Sequence, residues 1–234
     1  MAKLTTTKIV GSASETEWVQ AQVWEYKDSE QVMAVVEVKS EDNESMVDLV
    51  TVGSGILNEL ERKTPLMQNQ GQIKEVVEQI VREIKEGLKV GILLARVEGQ
   101  KLNFYGNGRM TVYLARDGQI AKLKDNWSDK QEVAGEIKDD DRVVLTTEKL
   151  VDLMGISQFK DILINDNNPA EGLAPQIHAQ KDTSAVGAIV GIVKVEKPAA
   201  IKWPQIKLKS DEPRRILDRP RVWVHPGCAR LEER

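Results

Sequence analysis

Cysteine and histidine are nearly missing from these 234 residues. The single cysteine, Cys228, cannot close an internal disulfide, and the two histidines, His178 and His225, leave no Cys/His cluster with zinc spacing. A metal ion would therefore have to be a hard cation held by carboxylates. Long apolar runs are also missing: the longest, 90–95 and 185–193, are too short to cross a bilayer, which takes about 20 residues. The N-terminal stretch MAKLTTTKIV lacks the apolar core of a signal peptide, so a cytoplasmic location without membrane insertion is expected. Aromatic residues are scarce at 4%, which makes each tryptophan a notable structural commitment.

What remains is an ordinary soluble balance, 41% apolar against 30% charged, in a chain long enough for one sizeable core and a modest appendage. The net charge of −4 conceals a split. Residues 1–196 carry 23 basic against 32 acidic side chains, and residues 197–234 carry 10 against 5. The second segment also holds five of the eight prolines, which bar long helices and central strands. A boundary is thus expected near Glu196, between a folded body, 1–196, and a basic tail, 197–234. In the tail, Trp203 and Trp223 stand near prolines among Ile206, Leu208, Ile216 and Leu217, as apolar anchors in a basic strip. The tail is either a solvated linker or an arm that docks on its own body, on a neighbouring copy or on a separate anionic partner. Nucleic acid is not an expected partner.

The body alternates between two periods. Residues 31–38 form a β-branched run of strand length, and 46–63 place Met46, Val47, Val50, Leu57 and Leu60 on one helical face. Over 73–88 the spacing of Ile73, Val76, Val77, Ile80, Ile84 and Leu88 predicts a second amphipathic helix. Strands are predicted at 90–97, 101–105, 110–115, 119–123 and 142–147, separated by the turn signals EGQ and RDGQ. Two helices follow, around 149–154 and 169–180, and a last strand, 184–195. Hairpins in series with paired helices predict an α+β fold: two stacked antiparallel sheets with helix pairs outside.

Four local patterns fit this order. GNGRMTVYLARDG, 106–118, fits a strand pattern G-D-S-R-x-Y-L-x-x-x-G at Gly106, Arg109, Tyr113, Leu114 and Gly118, with Asn107 and Gly108 in place of aspartate and serine. DDDRVVLTTEKLVDLMG, 139–155, fits a G-D turn, a strand and an S/T-D-G-L helix start, with Glu148 for aspartate and Lys149 for glycine. DTSAVGAIVGIV, 182–193, fits a closing D-N/D-x-S/T motif with Asp182 kept. VVEVKSED, 35–42, offers Glu37, Val38 and Lys39 where an aspartate followed by glycines is wanted. In order and spacing these resemble the PPM-type metal-dependent protein phosphatases, also called protein phosphatase 2C-like, over roughly 8–195. The resemblance implies an α-β-β-α sandwich and, in an active member, two divalent ions clamping a bridging water that attacks a phosphoryl group.

Carried over residue by residue, the implied metal positions are Glu37, Glu148 and Asp182. Glutamate for aspartate adds a methylene and shifts the oxygens by about 1.5 Å, out of a rigid two-metal geometry. Lys39 and Lys149 put ammonium groups where the pattern has glycines, and could pair with these carboxylates in the metals' stead. The phosphate-binding arginine that the family carries near its N-terminus has no counterpart in KIVGSASETEWVQ. The expected function is a degenerate phosphatase-like module that binds or regulates a protein partner without a cofactor. The alternative is an active Ser/Thr phosphoprotein phosphatase with a drifted manganese or magnesium centre. The turn Gly106, Asn107, Gly108, Arg109 is read as structural, with Arg109 tying it down through its guanidinium. Asp139–Asp141 is read as a solvated turn, His178 as a helix-end residue, and Cys228 as no nucleophile.

Overall fold

A computed structural model describes residues 2–26, 30–41, 48–66, 70–84, 86–125, 127 and 132–195. Met46, Val47, Trp203, Trp223, His225, Cys228 and the whole of the predicted tail lie outside the described residues. The strands are β1 (Ala2–Val10), β2 (Glu17–Glu25), β3 (Gln31–Ser40), β4 (Leu88–Glu98), β5 (Lys101–Asn107), β6 (Met110–Arg116), β7 (Gln119–Lys124), β8 (Val133–Glu136), β9 (Arg142–Thr147) and β10 (Gly187–Val195). The helices are α1 (Leu49–Lys63), α2 (Gln70–Arg82), α3 (Glu148–Met154), α4 (Ile156–Asn165) and α5 (Pro169–His178).

The strands form two five-stranded sheets, ordered β1-β10-β9-β6-β7 and β2-β3-β4-β5-β8, and every strand pair is antiparallel. The predicted α+β sandwich is the observed architecture. Alternation along β3 shows how the layers arise. Val32, Ala34, Val36 and Val38 face α1 and α2, while Met33 and Val35 face the other sheet, because successive side chains point to opposite faces. Both faces are apolar, so β3 reads as one continuous hydrophobic run. The outer layer on the first sheet is α3–α5, packed through Leu150, Phe159, Leu163 and Leu173 onto Tyr113, Val144 and Val190.

Several elements escaped the periodicity. β1 carries Thr and Lys on its outer positions, β2 is broken by Glu17, Gln20 and Gln22, and both are edge strands, where only one side pairs and polar residues are tolerated. The second helix ends at Arg82, not 88; Gly87, with φ +86°, turns the chain so that Leu88 opens β4 opposite Ser40. The acidic run is also not simply solvated. Asp141 is 1% exposed and takes two hydrogen bonds from the Arg116 guanidinium, at 2.8 and 2.6 Å, and one from the Lys138 N–H at 2.7 Å. Asp139 accepts the Val195 N–H at 2.8 Å, and Asp140 pairs with Lys194.

The glycine-rich turn is held by Asn107 and Trp127, not by the expected Arg109. Arg109 is 83% exposed, and among the described residues its partner is Glu148, at 3.8 Å, outside the turn. Asn107 ties the turn down, its side-chain amide donating to the Val90 carbonyl at 3.0 Å. Gly108 takes φ +84°, and Gly106 lies flat against the ring of the fully buried Trp127. Trp127 closes the turn, its indole N–H donating to the Met110 carbonyl at 3.0 Å and its backbone N–H to Gly108 at 3.2 Å. A Cβ at Gly106 would sit 2.6 Å from the indole. Gly106→Ala is therefore expected to cost about 1–3 kcal/mol of unfolding free energy in urea titration, as overpacking does. A loss under about 0.5 kcal/mol, the range of neutral surface changes, would mean the ring moves freely aside.

Candidate functional site

One end of the sandwich gathers polar side chains that β-sheet geometry would otherwise keep outside. Glu37 and Lys39 continue the inward parity of Met33 and Val35, so both project between the sheets at the end of β3. Glu17 has the same parity as Val19 and Ala21 on β2 and lies directly opposite Lys39 in the register. Gly91 is the cross-strand neighbour of Glu37; a Cβ there would sit 2.8 Å from the Met110 methyl and in ordinary contact, 3.5 Å, with the carboxylate. From the other sheet, Lys149 enters in the first turn of α3. Asp182 and Ser184 precede β10, held there because buried Thr147 donates to the Ala185 carbonyl at 2.8 Å and accepts the Gly187 N–H at 3.2 Å.

These side chains form one network across the two sheets. Lys39 Nζ lies 3.1 Å from Glu37 Oε1 and 3.4 Å from Glu17 Oε1. Lys149 Nζ lies 2.8 Å from Asp182 Oδ2, 3.5 Å from Glu17 Oε2 and 3.0 Å from Ser184 Oγ. The Ser184 hydroxyl is 2.7 Å from both Glu17 Oε2 and Asp182 Oδ1, and its single proton serves one of them at a time. The Ser184 backbone N–H also donates to Asp182 Oδ1 at 3.0 Å.

The electrostatics follow from burial and these partners. Burial pushes the Glu37 carboxyl above its ordinary value, against the opposing pull of Lys39. In Glu17 burial acts in the same sense but is outweighed by the Ser184 hydroxyl and the two lysines, so its pKa falls. Desolvation would lower the Lys39 pKa, yet Glu37 and Glu17 outweigh it and raise it. Asp182 is held well below the usual carboxylate range by Lys149 first, then by the hydroxyl and N–H of Ser184. At neutral pH Lys39 is therefore an ammonium ion.

Of the predicted site residues, the fold brings Glu37, Asp182, Lys39 and Lys149 together. Glu148 stands aside, 56% exposed, with Arg109 as its ion-pair partner among the described residues. Glu17 and Ser184 were not picked out from the sequence. The alternation of Glu17 with Val19 and Ala21 was the available signal for the first; nothing local marks the second. Beside the network opens a cleft of about 940 Å³. Val81, Val90 and Leu153 form its apolar side, and Lys39, Lys149, Arg109 and Glu148 its charged one.

Do these residues suit divalent ions? Such ions need several oxygen ligands at roughly 2.0–2.6 Å in a pocket free of positive charge. Here the ammonium groups lie between the carboxylates and satisfy their oxygens. Among the described residues no three Asp, Glu, His or Cys side chains are grouped to hold an ion. The residues present do not fit a two-metal centre.

No protein-family model matches this sequence, and no curated protein is detectably similar to it in sequence. Solved structures are similar in fold. A bacterial serine phosphatase carrying an arginine-to-alanine substitution aligns at TM-score 0.65 and 12% identity, over 82% of this chain and 99% of that one. The serine/threonine phosphatase Stp1 from Staphylococcus aureus aligns at TM-score 0.63 and 10% identity, over 84% and 96%. The catalytic domain of the serine/threonine protein phosphatase PstP, solved with two manganese ions, aligns at TM-score 0.57 and 13% identity, over 83% and 100%. The chain thus has the PPM-type phosphatase fold. Among the described residues no helix is long and apolar enough to cross a membrane.

Proposed function

We propose that this chain is a metal-free, catalytically silent module on the PPM-type phosphatase fold, which binds or regulates a protein partner. The observation that carries the reading is the placement of Lys39 and Lys149 among Glu17, Glu37 and Asp182. Two ammonium groups oppose divalent cations twice over: by charge repulsion in a partly desolvated site, and by occupying the space that ions and their bridging water would need. The network keeps one property of a metal centre, since it ties β2 and β3 of one sheet to α3 and the start of β10 in the other. It lacks the Lewis acid. Lys149 Nζ, which donates to Ser184 Oγ at 3.0 Å and also lies against Asp182 and Glu17, is placed as a donor to that hydroxyl and not as its general base.

The competing reading, an active metal-dependent Ser/Thr phosphatase, draws on the fold and on the activities named for PstP and Stp1. Calorimetric titration with manganese up to millimolar concentration separates the two. No saturable heat is expected, and p-nitrophenyl phosphate should hydrolyse no faster than in buffer. Two strong sites, or metal-dependent turnover abolished by Asp182→Asn, would overturn the silent module.

A further inference from the structure

The charges around the cleft beside the ion network are of two kinds, those already matched and those still open. Lys39 and Lys149 are matched: between them they hold Glu17, Glu37 and Asp182, with Nζ–O separations from 2.8 to 3.5 Å, which leaves neither free for an anion. Along α3 the balance is the reverse. Glu148 and Asp152, one helical turn apart and so on one face, both line the cleft. Glu148 meets Arg109 only at 3.8 Å, with both side chains more than half exposed. Asp152 is exposed and has no ion-pair or hydrogen-bond partner among the described residues. The apolar wall is open as well, because Val81, Val90 and Leu153 are only half-buried.

We propose that this cleft is where the protein partner docks, and that the partner presents an extended segment with a basic–apolar–basic triplet. Its apolar side chain lies on Val81, Val90 and Leu153, and its two cations reach Glu148 and Asp152. The inference rests on the silent-module reading, since a pair of divalent ions here would draw an anion instead. The spacing suits an extended chain. Alternate side chains of a strand stand about 6.5 Å apart on one side, and side chains at i and i+4 of a helix have Cβ atoms about 5–6 Å apart, a difference that flexible lysine or arginine stems absorb. The residue between the two cations points the other way, towards the apolar wall. Arg109 yields its place at Glu148 readily, because an exposed pair at that distance is worth little. At longer range, residues 1–196 carry 32 acidic against 23 basic side chains and attract a basic segment. A phosphorylated segment would find Lys39 and Lys149 already engaged and would face two carboxylates along α3.

The test is fluorescence anisotropy in EDTA at physiological ionic strength, with the full chain and fluorescein-labelled Gly-Ser-Lys-Leu-Lys-Ser-Gly. Saturable binding is expected. Changing both lysines of the peptide to glutamate, or its leucine to glycine, should weaken it about tenfold or more. Glu148→Lys/Asp152→Lys should weaken it about tenfold or more as well. Both residues are exposed, so the far-ultraviolet circular dichroism of that variant should stay the same. Glu75→Lys/Glu98→Lys, at exposed positions that do not line the cleft, should leave the affinity within about threefold, since salt screens distant charges. Absence of saturable binding overturns the proposal, as does equal binding of the glutamate or the glycine peptide. Equal losses in the two double variants overturn it too, because the attraction is then not local to the cleft. Tighter binding of the peptide with phosphoserine in place of its first lysine also overturns it. None of these outcomes depends on manganese, so the silent module and the basic partner fail separately.

Discussion

Asp141→Ala should remove about 3 kcal/mol or more of unfolding free energy, measured by urea denaturation with circular dichroism. The carboxylate is 1% exposed and holds both the Arg116 guanidinium and the Lys138 N–H. Deleting it leaves the Arg116 Nε–H and the Lys138 N–H without their acceptor, and hydrogen bonds to a charged group are worth about 1.5–3 kcal/mol each; Arg116, 29% exposed, regains only part of this from water. Arg116 still reaches the Glu136 carbonyl at 2.8 Å, which cushions the loss. Asp141→Asn, which keeps an acceptor oxygen, should lose distinctly less. The backbone around it amplifies the effect, because the Val193 N–H donates to the Asp141 carbonyl at 2.8 Å and so ties the end of β10 to this turn. A loss below about 1 kcal/mol would place the pair with ordinary surface ion pairs.

The second large effect concerns the lysines. In the double variant Lys39→Ala/Lys149→Ala, the inward carboxylates of Glu17, Glu37 and Asp182 lose both counter-charges and repel one another across the sheets. The melting temperature in EDTA should fall. Millimolar manganese should then recover it, because a cation that binds only the folded state stabilises by mass action, about 2.7 kcal/mol at a hundred times its dissociation constant. The unsubstituted chain should not respond to manganese. If the double variant also ignores manganese, the lysines are ordinary ion-pair partners and do not stand in for metals. If the unsubstituted chain is stabilised by manganese, its own carboxylates suffice and the phosphatase reading gains.

Much of the sandwich was written into local patterns. The β-branched run at 31–38, the spacing of Ile73, Val77 and Ile80, and the hairpin signals after Val97 and Ala115 each depend on neighbours a few residues away, and each appears as the expected element. Amphipathic period sets which face of a strand or helix is apolar, and burying those faces requires stacked layers. The edge strands were harder to read. With one side unpaired, β1 and β2 satisfy fewer apolar positions, and their signal sinks into a polar background.

The site divides along the same line. The sequence by itself supplied the chemistry of Glu37, Lys39, Lys149 and Asp182, since residue type at a motif position is a local fact. Which charges meet was decided by tertiary structure. Ser184 reaches Glu17 across 167 residues of sequence, and that contact exists because antiparallel register brings the start of β2 beside the end of β3, and sheet stacking brings both opposite the start of β10. The same cause put Asp141 in the interior. Its neighbours in the chain, Asp139 and Asp140, are exposed, and only the arrival of Arg116 from β6 makes burial of the third carboxylate affordable. Arg109 shows the converse: its motif position suggested a tie, but Asn107 and Trp127 had already satisfied the turn, which left the guanidinium to solvent.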